Sequence, residues 1–205
     1  MPRMGVACYL TTLLLVVPAS AIAKDESSQA AAERKARTLE EHASAGDDPG
    51  PQGPTITKAE AQAVDPSGER PLDDPLTCLA RTLYWEAKGE SDAGMRAVAN
   101  VVLNRLGHEG FPDTVCGVVK QGQETGACQF SWWCDGRSDD TEEPEPYAQA
   151  KEIARRALNG QLEDATDGAL YFHHSRLDPP WAGEYIKTTR VGDHLFYKPT
   201  YGDAR

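Results

Sequence analysis

Two apolar stripes of helical spacing, separated by a few residues, constrain this chain more than any other feature. Leu76, Leu79, Ala80, Leu83, Tyr84 and Ala87 fall at i, i+3, i+4, i+7, i+8 and i+11, one face of a helix that Gly89 ends. Met95, Val98, Ala99, Val102, Leu103 and Leu106 repeat the spacing, with Ser91 or Asp92 able to cap that second helix. So short a connection turns the two helices sharply against each other. Glu86 is left close to the corner. At about 100° per residue it lies roughly 90° from the middle of its own apolar stripe, at the rim and not in the core.

Beyond this pair the signals are shorter. Phe111-Pro112-Asp113 reads as a turn, Val115 to Lys120 as a short helix, and Gly122 to Asp140 as irregular apart from the aromatic run Phe130-Ser131-Trp132-Trp133. Tyr147 to Leu158 reads as a third long helix, with Pro146 at its start and Asn159-Gly160 at its end. Ala169 to His173 and His194 to Lys198 read as strands of a small hairpin whose long connection carries Pro179, Pro180 and Trp181. The order predicts a mainly helical α+β domain over residues 72–205. The preceding stretch, 24–71, is rich in Ala, Glu, Asp, Ser, Gly and Pro and poor in large apolar residues, so it is expected to be a disordered acidic linker.

Residues 1–23 have the pattern of an export signal: Arg3, an apolar run from Val6 to Val17, and small residues at Ala19-Ser20-Ala21-Ile22-Ala23, with cleavage expected after Ala23. The run is shorter than the roughly 20 residues of a lasting membrane anchor. Export is therefore the expectation, to a periplasmic or extracellular location. Loss of Arg3 and Cys8 takes the formal charge from −11 to −12 and the cysteines from 5 to 4. Such negative charge argues against nucleic acid or an anionic membrane as partner. Four cysteines in an exported chain favour disulfides, and three connectivities exist. Cys128 and Cys134 enclose only 129–133, and Cys78 with Cys116 would tie the start of one helix to the loop after the next, so these two bonds are favoured. A zinc site from Cys128, Cys134 and histidines is the alternative, against which the spacing speaks.

The run Tyr84-Trp85-Glu86-Ala87-Lys88-Gly89-Glu90 is where the chemistry is expected. A carboxyl group kept against aromatic and aliphatic surface resists ionisation and can carry a proton near neutral pH, the profile of a general acid. Around it stand five more blocks: Val98-Ala99-Asn100-Val101-Val102-Leu103-Asn104-Arg105, Phe111 to Val119, Cys128-Gln129-Phe130-Ser131-Trp132, Tyr171-Phe172-His173 and Gly192-Asp193-His194-Leu195-Phe196-Tyr197. Together, from Cys78 to Lys198, they resemble the cell wall hydrolase family that includes the spore-cortex lytic enzymes. That resemblance implies a lysozyme-like catalytic domain that cleaves peptidoglycan glycan strands, usually as a lytic transglycosylase, with the family's glutamate at Glu86; no cofactor is expected. The acidic stretch stands where the spore enzymes carry a peptidoglycan-binding repeat domain.

Gln129, Phe130 and Ser131 suit sugar binding, since amides and hydroxyls pair with acetamido and hydroxyl groups while a ring covers the sugar face. Tyr171 and His173 share one face of their strand and are expected to point into the same groove. Glu90 is expected to cap the second helix, and Asn104 and Arg105 to bond loops or helix carbonyls. His173, His174 and His194 suggest a metal, but adjacent strand residues face opposite sides and no acidic ligand is well spaced, so none is expected. The rival functions are a water-using muramidase and a non-catalytic glycan-binding domain.

Overall fold

In the computed structural model, which describes residues 19–47, 50 and 52–200, the chain runs through α1 (Ala19–Ala45), α2 (Lys58–Ala63), α3 (Pro75–Ala87), α4 (Asp92–Arg105), α5 (Val115–Lys120), α6 (Pro144–Leu158), β1 (Tyr171–His174), β2 (Ile186–Val191) and β3 (His194–Lys198). The architecture is helix-rich α+β with one small sheet. α3 is its axis. Residues from Pro75 to Tyr84 are all buried, and the helix packs against α1, α4, α5 and α6. Asp74 caps it by accepting from the Thr77 N–H at 2.9 Å, Pro75 occupies the first turn where its missing N–H costs nothing, and Gly89 leaves it at φ 89°. Ser91, not Glu90, caps α4 by accepting from the Gly94 N–H. The corner between the two helices is thus fixed at both ends by caps. α6 begins at Pro144, three residues before the expected start.

The hairpin expectation is corrected to a three-stranded antiparallel sheet in the order β1-β3-β2. β3 lies in the middle, pairing Tyr171 with Tyr197 and His174 with His194 on one side, and β2 on the other. Phe196 of β3 and Ala169 close over Ala97 and Val101 of α4, so the sheet is pinned to the helix that follows the corner.

Residues 24–71 also depart from the expected linker. α1 lays Ala32, Ala36 and Leu39 into the same core as α3, and Ile56, Ala61 and Val64 are fully buried. The buried face is mostly alanine, which contributes little hydropathy but lets helices approach closely. Lys35 pairs with Glu60 at 2.8 Å, Thr57 and Glu60 form a capping box for α2, and Glu40 accepts from the Val115 N–H at the start of α5. The expected export signal falls almost entirely on residues 1–18, outside the described residues.

Both favoured disulfides are present, Cys78–Cys116 between α3 and α5 and Cys128–Cys134 across a short loop. The first closes a sequence separation of 38 residues. Its loss should cost about 3–4 kcal/mol by loop entropy. Cys78→Ala/Cys116→Ala is therefore expected to lower the urea midpoint clearly, with a slope no smaller than that of the wild type because the uncross-linked unfolded chain expands; an unfolding free energy equal to that of the wild type would show that the bond adds nothing to stability.

Candidate active site

The α3–α4 corner, the Cys128–Cys134 loop and the sheet enclose a cleft of about 490 Å³. Glu86 enters it from the last turn of α3, Arg105 from the end of α4, Gln129 and Ser131 from the loop, and Tyr171 and His173 from β1. The structure thus brings together five of the six side chains expected to act or bind. Phe130 is the exception. It is 1 % exposed, packs into the core beside Phe172 and under Arg105, and is corrected from sugar ligand to support. It is the extended residue just before the short 3₁₀ turn Ser131–Trp133, where Ser131 is exposed and Trp132 is buried again.

Glu86 is half-buried and makes no hydrogen bond or ion pair among the described residues. Burial pushes its pKa up to about 7, against a smaller lowering by the Arg105 charge. The carboxyl group is therefore protonated in a large fraction of molecules at neutral pH. Its sequence neighbours do not line the cleft: Tyr84 donates to Glu143 and Trp85 donates to the Asp139 carbonyl. The cleft wall around Glu86 comes instead from residues distant in sequence.

Arg105, Trp181 and Tyr185 line the cleft without having been expected there. Trp181, Tyr185 and Tyr171 form an aromatic wall, with ring centroids 4.8 to 5.9 Å apart. His173 is held by Tyr197, its Nε2 3.0 Å from the phenol oxygen, with Trp181 edge-on at 5.5 Å. Nothing in the local pattern around Trp181 says which way it faces. Arg105 had a signal: it follows Val101 and Val102 by a helical turn and precedes Leu106, so it had to be buried at least in part. Asn104 is structural as expected, donating to Asp164, Thr166 and the Ala169 carbonyl.

Glu90 is packed under Gly192, where a Cβ would come within 2.3 Å of its carboxylate, and stands 3.8 Å from His194 Nδ1. It also gathers with His174 and Asp193, ligand atoms within 4.8 Å of one another, so acidic groups do stand near the histidines. Arg176 already covers the His174 ring, its backbone N–H 3.2 Å from Nδ1 and its guanidinium 3.1 Å from Nε2. A larger concavity, of about 690 Å³, lies along Phe111, Pro112, Lys120 and Gln121, but its one carboxylate, Glu124, is exposed.

Fold and cleft define a small α+β domain with an aromatic-walled groove lined, among the described residues, by one carboxyl group. A family model for cell wall hydrolases matches residues 89–197, beginning three residues after Glu86. The spore cortex-lytic enzyme of Halalkalibacterium halodurans is 35 % identical over 60 % of this chain and 34 % of its own length, and that of Bacillus subtilis 32 % identical over 68 % and 42 %. The cell wall hydrolase CwlJ of Halalkalibacterium halodurans is 31 % identical over 63 % of this chain and 88 % of its own. The solved catalytic domain of the Bacillus cereus SleB protein superposes with a TM-score of 0.49 at 30 % identity, covering 60 % of this chain and 89 % of that one. The chain belongs to the cell wall hydrolase family. It spans about a third to two fifths of the length of the spore cortex-lytic enzymes it matches.

Proposed function

We propose that this protein cleaves peptidoglycan glycan strands as a lytic transglycosylase, with Glu86 as both general acid and general base. The carrying observation is that Glu86 is the single carboxyl among the described residues lining the cleft. Glycosidases that use water ordinarily place two carboxyl groups across the scissile bond. A lytic transglycosylase can work with one, because the sugar itself supplies the nucleophile.

In the first step protonated Glu86 gives its proton to the glycosidic oxygen, the C1–O bond breaks, and positive charge develops on the sugar. In the second, the carboxylate takes the proton of that sugar's C6 hydroxyl as its oxygen bonds to C1, closing a 1,6-anhydro ring. Glu86 ends as it began and no water is consumed. Gln129 and Ser131 offer polar groups to acetamido and hydroxyl substituents, while Tyr171, Trp181 and Tyr185 offer aromatic faces to the rings. The proposed location is the periplasm or exterior, in keeping with the disulfides. A carboxyl group with a pKa of about 7 is a competent acid only below the pH at which it ionises, so the rate should fall as pH rises through that value.

Digestion of purified peptidoglycan followed by mass spectrometry tests the reading. Anhydro ends are expected; products heavier by one water would show a muramidase, and binding without fragments a glycan-binding module.

A further inference from the structure

Arg105 is 3 % exposed yet forms no ion pair among the described residues. Its Nε donates to the Leu170 carbonyl at 2.8 Å, and one terminal nitrogen, Nη2, reaches Gln129 Oε1 at 3.4 Å. The other, Nη1, is buried with no partner. The guanidinium centre lies 5.1, 5.3 and 5.8 Å from the rings of Phe111, Phe130 and Tyr171, so aromatic faces hold the cation where a carboxylate usually would. A buried cation with a spare donor is costly to keep unless another state uses that donor.

The other half of the arrangement is Glu86. It lines the same cleft, lacks a hydrogen bond, and is the carboxyl whose charge acts on Arg105. We propose that Arg105 is a positioning residue that serves as the counter-charge of ionised Glu86, receiving its carboxylate at Nη1 once the proton has left for the glycosidic oxygen. This rests on Glu86 being the acid and goes beyond it, by explaining how one carboxyl group serves in two charge states. A cation in direct contact at rest would hold the carboxyl ionised and forbid the first step. No cation at all would leave the carboxylate stranded in a partly apolar cleft between the two steps. An arginine close enough to act through space, but not bonded in the resting state, satisfies both demands. Its own pKa is pushed down by burial only to about 10, so it keeps its charge throughout the working range.

Other titratable groups face the cleft: Tyr171, His173 and His174 on β1, Tyr185 before β2, and His194 on β3. His194 is kept toward its neutral form by burial. Among these only Tyr171, beside Glu86, contributes to the field at Arg105. It is neutral near pH 7, since burial raises its pKa.

The test begins with the full wild-type chain, so it does not depend on a variant folding. The guanidinium NMR signals of Arg105 should shift with a midpoint near pH 7, the value of Glu86, and the shift should vanish in Glu86→Gln. Kinetics supply the second arm. Arg105→Met should move the alkaline limb of the pH–rate profile up by about one unit, since an opposite charge is lost. It should also lower kcat about a hundredfold with little change in KM. Arg105→Lys should leave the limb near its wild-type position. Arg105 signals that ignore pH between 5 and 9, or a limb unmoved in a folded Arg105→Met, would overturn the proposal. If Glu86→Gln itself retains turnover, the assignment of the acid falls instead, so the two failures are distinguishable.

Discussion

Glu86→Gln is expected to lose turnover of peptidoglycan by about two to four orders of magnitude, the usual weight of a positioned acid or base, and to be more stable than the wild type at neutral pH. The two halves have one cause. A carboxyl group raised to about 7 by burial holds its proton in the folded state, whereas the unfolded chain releases it near the ordinary glutamate value. Between those values the native state binds more protons, so its stability declines as pH rises, and above about 7 the full penalty is present. Glutamine has no charge to desolvate. Because Glu86 is only partly buried, screening reduces the gain to about 1–2 kcal/mol. It should appear as a higher melting temperature at pH 8 that shrinks toward pH 5. A variant that is inactive but more stable cannot have lost activity by misfolding. Retained turnover in a folded Glu86→Gln would place the acid elsewhere, and a melting temperature no higher at pH 8 than at pH 5 relative to wild type would show that the carboxyl is not desolvated.

The helical pair that carries Glu86 was legible because its buried faces are Leu, Val and Met at 3.6-residue spacing, a pattern with no strand reading. α1 was not, for the same physical reason in reverse. Its buried face is Ala32, Ala36 and Leu39 in a run of charged residues, and alanine at a tight helix contact looks in sequence like alanine in a solvated tail. β2 was hidden differently. Ile186-Lys187-Thr188-Thr189-Arg190-Val191 is an edge strand with Ile186 exposed, so no alternation marks it, and only pairing with β3 defines it. In the cleft, residue type and order led to Glu86, Gln129, Ser131, Tyr171 and His173. They failed for Phe130, Trp181 and Tyr185, because an aromatic residue in an irregular segment carries no sign of whether it turns to the core or to the groove.

Asp65→Ala should be the most damaging single substitution for the fold, although Asp65 is far from the chemistry in sequence. Asp65 is fully buried in the turn after α2, at φ 45°, and accepts five hydrogen bonds: from Arg81 Nε at 3.0 Å and Nη2 at 2.8 Å, from the Tyr147 hydroxyl at 2.6 Å, and from the backbone N–H groups of Glu69 and Arg70 at 3.0 Å. It thus joins the α2–α3 connection to α3 and α6. Burial works to raise its pKa, but the bonds from Tyr147 and Arg70 and the Arg81 charge together outweigh it and leave it lowered. Truncation strands the Arg81 guanidinium, itself 1 % exposed, and should cost about 3–5 kcal/mol. For a domain of this size that is a fall in Tm of about 10–15 °C. Since the folded pKa is depressed, the contribution is present above the ordinary aspartate value and is lost as pH falls through the lower folded one, so the gap between wild type and variant should narrow in acid. The double variant Asp65→Leu/Arg81→Met, which removes both charges, should recover part of the loss. Turnover per folded molecule should stay near wild type at low temperature, because Arg81 precedes Glu86 by more than a turn on α3 and does not line the cleft. A melting temperature within a degree of wild type in Asp65→Ala would show that these bonds merely satisfy one another and do not hold the helices together.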